Sequence, residues 1–309
     1  MDLYLAYHPY KVAYASMPTS ASSNHEVKQQ YINGYFCYTY KFDIITNGLG
    51  IVRSIDFYNK DYLTFYPEIL VEKKAKSLDE YKLLADSKAL LPTLKDFKTR
   101  HPGIKSSIFL GDAAFDTIEI YKSLFEDFNF QKAFIPLKVN LSMDNVKYTF
   151  NENGIPCCPH DFSLQMKREG IKSHLRSKPS TIKFVCPKMK LEYNRQDKSK
   201  RRVCHCDNPC TTSSCGRMIY VYPEKNLRAY PGVERSSKEW DETYKIMVNV
   251  EKSINHFKDS FCIAKRKTTN EKTLYSDLLL AGISQLLTVV VADKINQRQH
   301  IRSLKSLIA

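Results

Sequence analysis

Seven of the nine cysteines of this chain fall between residues 157 and 215, in its most basic stretch. Between His160 and Arg228 there are 16 Lys or Arg against 6 Asp or Glu, so +10 of the overall +14 is carried by 69 of the 309 residues. Such a local excess points to a polyanionic partner, and nucleic acid fits best because aromatic residues and cysteines interleave the charge. From about Lys138 to Glu239 the composition is rich in Pro, Cys and Lys, unlike the chain on either side, and the segment reads as an inserted subdomain.

Clustered thiols in a basic segment suit a tetrahedral Zn²⁺ that is closed and structural rather than catalytic. The spacing is irregular: Cys204-x-Cys206, three residues, Cys210, four residues, Cys215. The expected zinc ligands come from Cys186, Cys204, Cys206, Cys210 and Cys215, with Cys157 and His160 left for another site. Buried or free thiols without metal are the alternative. Cys37 and Cys262 lie in core-like contexts and are expected to be inert. The N-terminal residues Met1 to His8 have neither the basic start nor the apolar core of a secretory signal. The apolar run Leu278 to Ala292 covers 15 residues, short of the ~20 needed to cross a bilayer, and reads as a buried core helix. A cytoplasmic location follows, where cysteines favour metal or free thiol over disulfide.

Outside the insertion the pattern is α/β. Residues 1–34 have loop-like composition and are expected to be poorly ordered. Strands are predicted at Tyr35 to Thr46 and Ile51 to Tyr58, joined by the turn Asn47-Gly-Leu-Gly50. An amphipathic helix runs from Leu83 through Leu90, Leu91, Leu94 and Phe97. A strand at Ile108 to Asp112, a helix at 117–128 and a strand at Ala133 to Leu137 follow. Residues 35–137 thus form the first part of one body. The insertion occupies 138–239, with strand-like pieces at 182–185 and 218–222. Residues 240–309 return to the body as helices.

Two places carry candidate chemistry. In the helical run from Tyr244 to Lys258, Tyr244, Glu251 and Lys258 stand seven residues apart with Met247 between them, and so share one face. Upstream, Gly111-Asp112-Ala-Ala-Phe-Asp116 ends a buried strand in an acidic residue. Carboxylates delivered from separate elements onto a phosphate-bound metal are what two-metal phosphoryl transfer requires, and oxygen ligands suit Mg²⁺. The plainer readings are that Asp112 caps a following helix, that Glu251 and Lys258 form a solvated face, and that Tyr244 packs in the core. Asp43 and Asp116 read as structural.

Together these segments resemble the DDE transposases of bacterial insertion sequences, which have a ribonuclease H-like catalytic domain. The resemblance rests on the Tyr35 to Tyr58 hairpin, on Gly111 to Asp116, and on the spacing of Tyr244, Glu251 and Lys258, with Met247 where the family motif has Arg. The segment Lys183-Phe-Val-Cys186-Pro with its later cysteines is similar to the Cys-rich insertion of some of these enzymes. The resemblance implies a ribonuclease H-like mixed sheet with flanking helices, interrupted by a zinc-ribbon-like insertion. The hairpin and the strands at 108–112 and 133–137 are then expected in one sheet, with Glu251 brought near Asp112. It implies Asp112 and Glu251 as catalytic ligands of Mg²⁺ or Mn²⁺, Tyr244 and Lys258 as DNA contacts, and Zn²⁺ in the insertion. Double-stranded DNA and transposon ends are the implied partners, with a homodimer on DNA as an open possibility, in a bacterial, nucleoid-associated setting. The family's first catalytic Asp has no convincing counterpart, since Asp2 is at the terminus and Asp43 sits one strand late. The chain is therefore expected to begin after the first catalytic strand and to be a degenerate copy with impaired transposition. The competing readings are a metal-dependent nuclease and a zinc-stabilised nucleic-acid-binding protein without catalysis.

Overall fold

The computed structural model describes residues 18, 20–22, 24–32, 35–69, 86–138, 149–172, 180–194, 198–235, 237–263, 270–302 and 305–308. In chain order the strands are β1 (Ser20–Ala21), β2 (Asn24–Ile32), β3 (Tyr35–Thr39), β4 (Phe42–Thr46) and β5 (Val52–Phe57). The helices α1 (Lys60–Phe65) and α2 (Asp86–Arg100) follow, then β6 (Ile108–Leu110), α3 (Ile118–Glu126) and β7 (Lys132–Phe134). The next strands are β8 (Lys167–Lys172), β9 (Thr181–Val185), β10 (Met189–Asn194), β11 (Ser199–Cys204) and β12 (Met218–Val221). Helices α4 (Lys238–Tyr244), α5 (Val248–Asn255), α6 (Glu271–Lys294) and the short α7 (Lys305–Ile308) complete the order. Helices and strands are mixed, with small sheets, in a broadly α/β arrangement.

The chain forms two compact units, residues 1–104 with 246–309 and residues 105–245. In the first unit β4 and β5 make a hairpin around the expected turn Asn47 to Gly50, with Ile44 opposite Ile55, whereas the predicted strand Tyr35 to Thr46 is divided into β3, which pairs with β2, and β4. Gly50 is required there: its φ is +73°, and a Cβ would lie 2.5 Å from the Asn249 carbonyl oxygen. That close approach seats the turn against α5, where the Asn249 amide donates to the Gly48 oxygen at 2.8 Å. Gln285 of α6, 1% exposed, accepts from the Val52 N–H at 2.8 Å. Val52, Ile55 and Phe57 then meet Leu278, Ala281 and Phe257 in one apolar cluster.

Several expectations are corrected. Residues 24–32 are a nine-residue strand paired with β3, not loop. Among the described residues the β4–β5 hairpin and the parallel pair β6–β7 are separate two-stranded sheets, so the expected single mixed sheet is not formed. The run 278–292 is not a fully buried core helix. Helix α6 is long and apolar enough to cross a membrane by length and composition alone, yet only 33% of its apolar window is buried.

In the second unit β6, α3 and β7 form a compact βαβ motif, with Thr117 capping α3 by accepting from the Ile120 N–H at 3.2 Å. The antiparallel sheet β12–β9–β8 holds a second apolar cluster of Met166, Ile182, Phe184, Ile219 and Val221. Residues 105–137 belong with this unit although their composition matches the N-terminal part of the chain. A salt bridge from Lys132 to Glu239 and the packing of Trp240 on Phe134 tie β7 to α4.

Candidate functional site

Asp112 follows β6 and caps a short 3₁₀ turn at Ala113–Phe115, its carboxylate accepting from the Ala114 N–H at 2.8 Å. The side chain is exposed. Four residues on, Asp116 is 1% exposed and bound on both oxygens: Arg228 donates through Nε at 2.8 Å and Nη2 at 2.6 Å, and the Lys138 N–H donates at 2.7 Å. The bond to Asp116 raises the pKa of the Arg228 guanidinium. Buried Arg235 donates to the Tyr121 hydroxyl at 2.7 Å and the Arg228 carbonyl at 2.6 Å, and lies over the Trp240 ring 4.7 Å from its centroid. Burial lowers the Arg235 pKa and raises that of Tyr121. This network anchors residues 228–240 to the βαβ motif.

Glu251 is exposed in the first turn of α5, and Lys258 is exposed in a π turn at His256–Ser260. Tyr244 ends α4 half-buried, stacked on Trp240 with centroids 6.2 Å apart. The run is not one straight α-helix: a 3₁₀ turn at Lys245–Met247 and the π turn both break the 3.6-residue winding. Tyr244 falls in the second unit, and Met247, Glu251 and Lys258 fall in the first. Asp112 belongs to the second unit and Glu251 to the first.

Among the described residues no three His, Cys, Asp or Glu side chains are grouped so as to hold a metal. The cysteines nevertheless associate. Cys186 and Cys204 lie within hydrogen-bonding reach of each other, with Cys206 close enough to act on Cys186 electrostatically. Cys210 meets Cys158, a residue the spacing did not select. Cys215 is 3.0 Å from the Ser213 hydroxyl, and Cys206 donates to the Asn208 carbonyl. Burial pushes the Cys186, Cys210 and Cys157 thiols up, so each is a neutral thiol unless a metal displaces its proton. Cys262 is exposed rather than core, and the side chain of Cys37 is outside the described residues.

The basic excess is concentrated on a two-stranded ribbon. Strands β10 and β11 pair antiparallel, with Leu191 opposite Arg202 and Tyr193 opposite Lys200. Leu191 is 61% exposed and Tyr193 55%, and Lys188, Lys190, Lys198, Lys200 and Arg201 are all exposed. One face thus offers an aromatic ring beside cations. Glu169 holds Arg202 and Lys183, and Glu192 meets His205 at 2.8 Å, which fixes the base of the ribbon.

A second carboxylate site was missed in sequence. Asp43 and Asp56 stand directly opposite each other on β4 and β5. Asp56 is buried against Arg100 of α2, and burial raises its pKa to about 6. The Tyr58 hydroxyl donates to Asp43. The signal was there, since both are charged residues at matched positions of a predicted hairpin. Compared with known proteins, the chain matches no family model, no curated protein and no solved structure.

Proposed function

We propose that this chain binds double-stranded DNA as a degenerate copy of a DDE transposase, with the basic insertion as its main duplex-binding surface. The observation that carries the reading is the β10–β11 ribbon. A two-stranded ribbon is of a size to enter a major groove, and its exposed cations suit phosphates. Tyr193, opposite Lys200, adds a ring that can stack on an unpaired base. The nucleoid of a bacterial cytoplasm is the matching setting.

The inherited activity would be DNA strand cleavage and strand transfer, with Asp112 and Glu251 as carboxylates and Tyr244 and Lys258 as DNA contacts. Mg²⁺ or Mn²⁺ does not fit the residues as described, because Asp112 is engaged as a cap and, among the described residues, no three metal-binding side chains are grouped. No catalytic step is therefore assigned. That engagement favours the second reading, nucleic-acid binding without catalysis. Zn²⁺ suits the thiol donors better, and Cys186 with Cys204, which lie within hydrogen-bonding reach, is the pair on which a zinc site would draw, although no three ligands are grouped among the described residues.

The test is duplex binding by the purified chain across a salt series. Affinity is expected to fall steeply with salt, and the triple change Lys190→Glu, Lys200→Glu, Arg201→Glu to weaken it at least tenfold and to reduce the slope by about 2–3. Salt-independent binding, or an unchanged slope in the variant, would sink the proposal. Zinc analysis on the same protein should find about one ion per chain, and a Cys186→Ser change should lower it.

A further inference from the structure

The feature of the molecule that nothing above uses is the outer face of α6. Its inner face carries Leu278, Ala281, Gln285, Thr288 and Ala292, all buried, with Leu278 and Ala281 packed in the hairpin cluster. The outer face carries Leu279, Leu280, Ile283, Leu286, Leu287, Val290 and Val291, which are 40 to 60% exposed. Leu280, Ile283, Leu287 and Val290 follow the 3-4-3 spacing of a coiled-coil seam, and Leu279 and Leu286 flank it. No charged residue interrupts this stripe from Leu279 to Val291, and Lys272, Asp293 and Lys294 bound it in the exposed first and last turns. One face of the helix therefore meets the needs of its own unit, and the other has the pattern of a helix that meets another helix.

We infer that the partner on this face is a second copy of the same chain, with its α6 packed antiparallel about a two-fold axis near Gln285. The stripe reads nearly the same in both directions. Reversal about position 285 places Leu280 on Val290, Ile283 on Leu287 and Leu279 on Val291, so six of the seven outer residues fall on another member of the set. Self-complementarity of this kind is what a two-fold contact requires, because the same patch must serve both partners. The area also suffices. Taking about 170 Å² for a fully exposed aliphatic residue, the seven offer roughly 600 Å² per copy and about 1,200 Å² for the pair, at the lower edge of specific interfaces. The inference does not depend on how the chain treats DNA.

The experiment is sedimentation velocity on nuclease-treated, full-length protein from about 1 to 200 µM in high salt, with circular dichroism to check that helix content is kept. The unmodified chain is expected to pass from monomer to dimer over that range. Ile283→Glu and Leu287→Lys, at positions that face solvent in the single chain, should each weaken the dimer at least tenfold. An equimolar mixture of the two variants should recover it, because the antiparallel pairing sets position 283 against position 287 of the other copy. A parallel pairing sets 283 against 283 and gives no rescue. A chain that stays monomeric at 200 µM overturns the inference, as does a dimer that survives both changes or a mixture without rescue. Flotation with neutral phosphatidylcholine vesicles, in place of self-association, would assign the face to a bilayer and overturn it too.

Discussion

Two buried acidic residues show how differently one charge can be treated. Asp116 is bound on both oxygens by Arg228, and the second guanidinium, Arg235, is held by carbonyls, the Tyr121 hydroxyl and the Trp240 ring rather than by a carboxylate. Removing the single anion leaves two buried cations. Asp116→Ala is expected to cost about 3–5 kcal/mol, and the double change Asp116→Ala, Arg228→Met less than the sum of the singles. Chemical denaturation midpoints read both, and additive costs would contradict the coupling. Asp56 is different, since burial outweighs its pairing with Arg100 and its pKa rises to about 6 from the ordinary 3.8. The folded state then holds this proton more tightly than the unfolded chain, so its contribution is complete below pH ~4 and is lost as pH rises through about 6. The loss amounts to up to about 3 kcal/mol. Asp56→Asn should match the parent protein at pH 4 and be the more stable of the two at pH 7. Parallel stability curves for the two proteins would refute this.

At the scale of elements, the turn between β4 and β5 is held from two sides, by Asn249 and by Gln285. Gln285→Leu leaves the buried Val52 N–H without its acceptor and is expected to cost about 1–3 kcal/mol. Gly50→Ala combines the positive φ with an approach to the Asn249 oxygen that no Cβ can make, and should cost more than the Gln285 change. Thermal melts of the two variants give the order, and a Gly50→Ala protein as stable as the parent would rule out the close approach. This turn was legible from Asn47-Gly-Leu-Gly50 because its chemistry is local. The β10–β11 ribbon was not. Both its faces carry charge, so it lacks the apolar alternation by which a half-buried strand is recognised, and its strand character comes from the pairing itself.

For the molecule as a whole, DNA binding and cleavage are expected to separate. Asp112→Ala and Glu251→Ala should leave duplex affinity within about twofold, since neither removes a cation, while cleavage in Mg²⁺ or Mn²⁺ is low before either change. Filter binding and a plasmid-nicking assay check the two halves, and robust strand transfer by the parent chain would overturn the account. The two-unit division places 105–137 with the Cys-rich segment, although composition alone joins them to the hairpin. What joins them in space are the contacts of Asp116 with Arg228, Lys132 with Glu239 and Phe134 with Trp240, each between residues about a hundred positions apart.

The residue order was enough for most element types, for the hairpin turn, for the location of the basic excess and for the capping reading of Asp112, because these depend on neighbours within a few positions. Whether strands share a sheet, which thiols meet, which face of α6 is covered and which aspartate is buried depend on contacts between distant segments. Tyr244, Glu251 and Lys258 mark the boundary between the two. Their spacing is plain in the chain, but a 3₁₀ turn at Lys245–Met247 and a π turn at His256–Ser260 break the run into pieces, and no apolar periodicity signals those breaks.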